Sequence, residues 1–254
     1  MLTLCAIASG SNGNCYYIGN HTEAVLIDAG ISARQTVARM KTRELDPSKI
    51  RAIFISHEHS DHICGARVLS KKLKVPVFVT SQTYVAMYPH HRPDSPRFFI
   101  PGNPVTIGSF TIHPFPKQHD AAEPCSFTVE YKGCHVGVFT DIGTPCEHVI
   151  RHFEQCHVAF LESNYDEQML WKGNYPWPLK KRIASEYGHL SNDQAYNLLA
   201  NNGGSQLTVV FLSHLSAENN TPETAMNCFT GMNSRVKIHM TSRYQAGEVV
   251  RIEL

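Results

Sequence analysis

The chain has 254 residues, of which 42% are hydrophobic and 18% charged, with a formal net charge of +1. Those proportions belong to an ordinary globular protein and exclude a disordered, fibrous or collagen-like chain. A charge so close to zero gives no global electrostatic case for a polyanion partner, so any such site must be local. No stretch stays apolar for the 18 residues or so that a membrane-spanning helix needs. The opening MLTLCAIASGSNGNC has neither the basic start nor the apolar length of a signal peptide, so secretion is not expected. The 8 cysteines form no C-x-x-C pair and read as thiols of a reducing cytosol.

Short strands and helices alternate from end to end. Strands are expected near 2–8, 15–19, 23–28, 51–56, 76–79, 104–107, 109–114, 125–131, 134–140, 157–161, 207–212, 235–239 and 248–253. The clearest hairpin is FTVEYKGCHVGVFT, turning at Lys132-Gly133. Helices fit near 33–42, 64–73, 81–88, 146–154, 178–187, 192–201 and 222–230. Three of them start with a cap: Ser32, Ser191 with Gln194 three residues on, and Thr221 followed by Pro222. This order predicts two sheets packed together and covered by helices. No linker, repeat or low-complexity segment divides the chain, which predicts one domain over 1–254.

The segment ISHEHSDHICG puts His57, His59, Asp61 and His62 directly after the apolar run RAIFIS and before the helical pattern GARVLSKKL. A continuous helix would scatter these four around its circumference, because i and i+2 do not share a face. A loop leaving a strand can turn all four inward, at the strand-to-helix position where α/β proteins place their sites. Imidazole and carboxylate together suit a divalent transition metal. Most other histidines, such as His21, His90, His91, His113 and His152, lack an acidic neighbour at ligand spacing and read as surface or packing residues.

Three further residues stand at strand ends: His119 in PKQHDAAEP, Asp141 closing HVGVFTD and His214 after LTVVFLS. Each has a plain alternative. Asp141 could cap a turn before Gly143, and either histidine could be a hydrogen-bonded loop residue. Their recurrence at strand exits, on a chain that already carries the first cluster, favours a shared metal site.

Together these residues resemble the metallo-β-lactamase-fold superfamily, whose order of H-x-H-x-D-H, then His, Asp and His is present across nearly the whole chain. The resemblance implies an αββα sandwich with two divalent metal ions, Zn²⁺ or Mn²⁺, at one edge of the sheets. It assigns His57, His59 and His119 to one metal and Asp61, His62 and His214 to the other, with Asp141 bridging. It also places Asp28, which ends EAVLIDAG, behind the ligands as a support for the metal loop. A pair of metals about 3.5–4 Å apart makes a water acidic enough to attack at neutral pH.

Within the superfamily, the bridging aspartate and the missing leader argue against antibiotic hydrolysis. Residues 142–213 leave too little room for the inserted domain of RNase J-like nucleases, and 215–254 look unlike the helical glutathione-binding region of glyoxalase II-like thioesterases. FLES with Glu162, and GHLSNDQA with His189 and Ser191, resemble RNase Z-like enzymes, whose tRNA-gripping arm is missing here. The whole-chain resemblance is to the bacterial YycJ/WalJ-like group, carried by ASGSNGNCYYI, LIDAGIS, SHEHSDHI, HDAAEP, FTDIG, ESNYDEQML, GNYPWPLKKRI, GHLSNDQA and LSHLSAENN.

That group implies a cytoplasmic phosphodiesterase acting on DNA ends, with oligomeric state left open. In this reading Asp61 orients the nucleophile and His189, oriented by Glu162, protonates the leaving oxygen. Ser11 and Asn12 in the glycine-rich SGSNGN loop are expected to meet a phosphate. Lys180, Lys181 and Arg182 are expected to guide a strand, with Trp171 or Trp177 as a stacking face; a solvated helix face explains these five equally well. The rival readings are a small-molecule hydrolase of cyclic phosphodiesters or thioesters, and a metal-stabilised regulatory adaptor.

Overall fold

Strand β1 (Leu2–Ala8) is buried on both faces: Leu2, Leu4 and Ala6 join one apolar cluster, Cys5 and Ile7 another. A strand sandwiched between two layers requires that pattern. In the computed structural model, which describes residues 1–231 and 235–254, β1 lies in a seven-stranded sheet. Its other strands are β2 (Cys15–Gly19), β3 (Ala24–Ile27), β4 (Ile50–Phe54), β5 (Val77–Val79), β6 (Pro96–Phe98) and β14 (Val250–Ile252), in the order β14-β1-β2-β3-β4-β5-β6. A second seven-stranded sheet runs β13-β12-β11-β10-β9-β8-β7. It comprises β7 (Val105–Ile107), β8 (Phe110–Pro116), β9 (Cys125–Tyr131), β10 (Cys134–Phe139), β11 (Val158–Glu162), β12 (Val209–Ser213) and β13 (Lys237–Met240).

Both sheets are mixed. Each is antiparallel on one side and parallel from β3 to β6 or from β10 to β13. The β9–β10 hairpin turns at Lys132 and Gly133, with φ of 50° and 77°, the doubly left-handed turn that matches strand twist. The inner faces meet in one core of Leu4, Tyr16, Ile18 and Phe54 against Phe127, Val138, Phe160 and Phe211. Helices α1 (Ala33–Lys41) and α3 (Ala66–Leu73) cover the outside of the first sheet with Met40 and Leu69. Helices α5 (Glu147–Glu154), α8 (Asn192–Asn202) and α9 (Pro222–Cys228) cover the second with Phe153, Leu198 and Ala225. The layers are therefore those of an αββα sandwich. No helix among the described residues is long and apolar enough to cross a membrane.

The three expected caps are present: Ser32 accepts from Gln35 N, Ser191 forms a full capping box with Gln194, and Thr221 accepts from Thr224 N. Other elements differ from expectation. The metal segment is not loop throughout, because Ser60–Ile63 closes one helical turn, α2. Two elements were not expected, β6 and α6 (Glu167–Lys172), while α4 is short (Ser81–Ala86). Helix α7 (Trp177–Ile183) ends four residues before the expected 187; His189 N then returns to Ile183 O, turning the chain toward the site.

Candidate metal centre

The donors gather where strands of both sheets end. His57 follows β4, His119 follows β8, Asp141 follows β10, Glu162 ends β11 and His214 follows β12. Asp28, Asp141 and His214 have φ of 61°, 56° and 57°. Left-handed backbone at a residue other than glycine costs about 1–3 kcal/mol, and here it recurs at strand exits that turn a side chain into one cleft.

Two sets of atoms converge. In one, His57 Nε2 and His119 Nε2 lie 3.1 and 3.3 Å from His59 Nδ1. In the other, Asp61 Oδ2 lies 3.4 Å from His62 Nε2 and 3.5 Å from His214 Nε2. Asp141 stands between them, its Oδ2 3.1 Å from His62 Nε2 and its Oδ1 3.7 Å from His119 Nε2. The seven residues named from the sequence are thus brought together, in overlapping clusters: His57, His59 and His119; Asp61, His62 and His214; His57, His62 and Asp141; and Asp141 and His214 with Glu162 and His189.

Most of the imidazoles are held from behind. His62 Nδ1 donates to Asp28 Oδ2 at 2.7 Å, and Asp28 also accepts from Ser56 N and the Ser56 hydroxyl. His57 Nδ1 meets that hydroxyl at 2.9 Å, and His119 Nδ1 donates to Gly188 O at 3.1 Å. Glu162 Oε1 accepts from both His189 Nδ1, 2.9 Å, and His214 Nδ1, 2.8 Å, while its Oε2 accepts from Ile142 N and Leu190 N. Glu162 is wholly buried, and both of its oxygens are occupied by these donors. His189 itself opens onto the cleft.

Burial opposes charge at all of these groups, so each protonation state depends on what outweighs it. Burial pushes His57 well below its ordinary value and His119 down to about 3, leaving the neutral imidazoles that a metal needs. For His62 the carboxylates of Asp141, Asp28 and Asp61 overcome burial and hold it well above its ordinary value. His214 rises in the same way, to about 10, under Asp141, Asp61 and Glu162. Against burial, His189 and His214 hold Glu162 at about 2. Protons on His62 and His214 thus answer a demand for positive charge between Asp61 and Asp141. A divalent cation meets that demand while using the Nε2 lone pairs. Asp141 Oδ2 is buried with no aligned hydrogen-bond donor, which also fits a cation beside it. The donor set suits such ions.

The remaining expected residues divide. Ser11 and Arg182 line the cleft, about 560 Å³ in volume, with Glu58, His59, Asp61, Tyr88, Asp141, His189 and His214. Asn12 is exposed on the same loop but not among the lining residues, and part of the loop's backbone is already bonded within the protein. Gly10 N donates to Asn14 Oδ1, Gly13 N to Gly10 O and Asn14 N to Asp61 O. Lys180 does not guide a strand: it is buried, and Nζ donates to Trp171 O and Gly173 O at 2.8 and 2.7 Å. Lys181 is turned onto Trp177, its Nζ 5.5 Å from the ring centroid.

Three residues escaped the sequence reading. Buried Asn14 donates from Nδ2 to Asp61 Oδ2 at 3.2 Å and meets His62 Nε2 at 3.2 Å. Buried Lys117 donates to Thr140 O at 2.6 Å, tying the end of β8 to the residue before Asp141. Asp120 accepts from Arg182 Nε at 2.5 Å and lies 3.5 Å from His119 Nε2. Only Asp120, beside an expected ligand, carried any local signal.

Comparison with known proteins follows this geometry. Residues 23–214 match the beta-lactamase superfamily domain. The chain is similar to exodeoxyribonuclease YycJ of Bacillus anthracis, 35% identical over 229 residues that cover 88% of this chain and 86% of the relative. It is similar to exodeoxyribonuclease WalJ of Streptococcus pneumoniae, 33% identical over 224 residues covering 86% and 83%. Its fold is similar to that of the metallo-beta-lactamase fold protein YhfI from Bacillus subtilis, with a TM-score of 0.75 at 17% identity over 99% of this chain and 100% of that one. The chain therefore belongs to the metallo-β-lactamase-fold superfamily, in its YycJ/WalJ-like group, and is a metal-dependent hydrolase.

Proposed function

We propose that the chain, as a single domain over 1–254, is a binuclear phosphodiesterase that shortens DNA from its ends in a reducing cytosol. The observation that carries this reading is the His189–Glu162 pair, whose histidine opens into the same cleft as His59, Asp61, Asp141 and His214. Two metals, when bound, would offset phosphate charge and make water a nucleophile at neutral pH. His57, His59 and His119 would hold one, Asp61, His62 and His214 the other, with Asp141 shared.

The chain's own groups do the rest. His189 gives Nδ1–H to Glu162, so its Nε2 is the nitrogen left to hand a proton to the departing sugar oxygen. Asp61, held by Asn14, orients the attacking water. Arg182, fixed by Asp120, meets a phosphate, and Ser11 lines the same cleft. The names of the two curated relatives support DNA as the substrate, and the 8 unpaired thiols favour the cytosol.

The test is a metal-dependent assay that offers single-stranded and duplex DNA, a cyclic nucleotide and a thioester side by side. Release of nucleotides from DNA ends, falling steeply as salt rises, is the expected result. Salt-insensitive hydrolysis of the thioester alone would replace this reading with that of a small-molecule hydrolase.

A further inference from the structure

Helices α6 and α7 stand beside the cleft and bury a small core of their own, Leu170 and Ile183 against Tyr165 with Tyr175 and Leu179 at its margin. Their outer surface is not the polar face that an amphipathic helix turns to water. Trp171 is 41% and Trp177 57% exposed, and the two rings lie 5.3 Å apart at 50°. These are the only tryptophans in the chain. An exposed aromatic pair of this size calls for a partner.

The pair is held firmly and tied to the site. The Lys180 ammonium, buried between the helices, fixes the main chain at Trp171 and Gly173. Lys181 lies over the Trp177 ring. Arg182 follows at once, with its Nε on Asp120, the neighbour of His119, and its side chain on the cleft wall. From Trp177 to Arg182 the helix rises about 7.5 Å, so the exposed ring and the cleft wall belong to one short element. Tyr88, 66% exposed, also lines the cleft.

We propose that α6–α7 is a stacking platform for an unpaired nucleobase near the scissile phosphate, with Lys181 and Arg182 on the flanking phosphates. The inference rests on the nuclease reading above and deepens it. Aromatic rings interleaved with cations are what single-stranded nucleic acid binds, since every base offers a π-face and every linkage a negative charge. A blunt duplex keeps its bases stacked inward and offers the platform little. The enzyme therefore prefers frayed, overhanging or single-stranded ends.

The experiment measures binding and cleavage of phosphodiester and nuclease-resistant phosphorothioate oligonucleotides carrying 2-aminopurine at either end, as single strands and as blunt duplexes, by the metal-loaded protein. The expected result is quenching of 2-aminopurine fluorescence by the wild-type protein on single strands. Trp177→Ala should weaken that binding about 5- to 150-fold, the usual effect of removing one stacking ring, and Trp177→Phe should recover most of it. The ratio of kcat/KM for the oligonucleotide to that for bis-p-nitrophenyl phosphate, which has no base to stack, should fall with Trp177→Ala. An unchanged Kd and ratio in folded, metal-loaded Trp177→Ala would overturn the platform and leave the nuclease reading standing. Turnover of bis-p-nitrophenyl phosphate with no oligonucleotide binding by the wild type would overturn both. Dimerisation lost in Trp177→Ala with an unchanged DNA Kd would reassign the patch to a second copy of the chain.

Discussion

The donors in residues 57–62 and those in residues 119–214 reach one cleft by different means. The first group comes from a single segment, where β4 ends and α2 makes one turn. Asp28 and Asn14 brace it from two neighbouring strand ends. The second is gathered from the ends of β8, β10, β11 and β12 and the approach to α8, and Glu162 is its hub. A local group can keep its spacing when the sheets shift, whereas a distributed group exists only when the second sheet is in register. Damage to the hub should therefore spread, and damage to a single brace should stay local.

The largest effect is expected at the residue that the two metal sites would share. Asp141→Ala removes the carboxylate between both donor sets, so metal content should fall from two per chain to one or none. Hydrolysis should drop to background on both DNA and bis-p-nitrophenyl phosphate. Elemental analysis beside activity checks this, and two metals retained with activity intact would remove Asp141 from the centre.

Next come the two partners in the hub. His189→Ala should keep both metals and lose about 10²–10⁴-fold in turnover of DNA, the usual contribution of general acid catalysis. The loss should shrink on bis-p-nitrophenyl phosphate, whose phenolate leaves without a proton. Glu162→Gln should do more than remove the acid, because His214 hangs on the same oxygen; metal content should fall as well. If His189→Ala itself loses a metal, His189 is a ligand and not the acid.

A brace on the local group should matter less. Asn14→Ala leaves Asp61 Oδ2 without its amide donor. Loss of such outer partners typically weakens metal affinity about 10–100-fold. Chelator competition should show weakening confined to one of the two metals. Equal weakening of both would mean that the two metal sites are not held independently.

The same contrast governs what could be read before the fold was known. His57, His59, Asp61 and His62 were legible because their chemistry is packed into one short segment. His119, Asp141 and His214 were legible only as a series at strand exits. Asn14 was not, because its partner lies 47 positions away and an asparagine in a glycine-rich loop looks like turn chemistry. Lys180 misled in the opposite direction: its place in LKKR suggested a solvated charge, but the turn after α6 leaves carbonyls that a buried ammonium satisfies. The layers followed from the alternation of short strands and helices along the chain. Strand β6 did not, since three residues beginning with Pro96 carry no periodicity, and α6 is a six-residue helix whose signal is its cap at Asp166.

The smallest effect separates the histidines of the cleft from those that only pack. His152 on α5 stacks flat on Phe115, with ring centroids 3.9 Å apart at 7°, and its Nδ1 meets Thr128 Oγ1 at 3.2 Å. Burial, reinforced by the cations around it, lowers it from 6.5 to about 4. The unfolded chain then takes up this proton near pH 6.5, while the folded chain resists it until about pH 4. Its contribution to stability is thus complete above pH 6.5 and is lost as pH falls from 6.5 to 4. His152→Phe keeps a ring on Phe115 and removes the titration. The melting temperature of the wild type minus that of the variant should decline over that window and level off on both sides. Cleft histidines contribute equally to both proteins, so metal release on acidification cancels in the difference. A difference that stays flat from pH 7 to 4 would mean that His152 accepts its proton in the folded state as readily as in water.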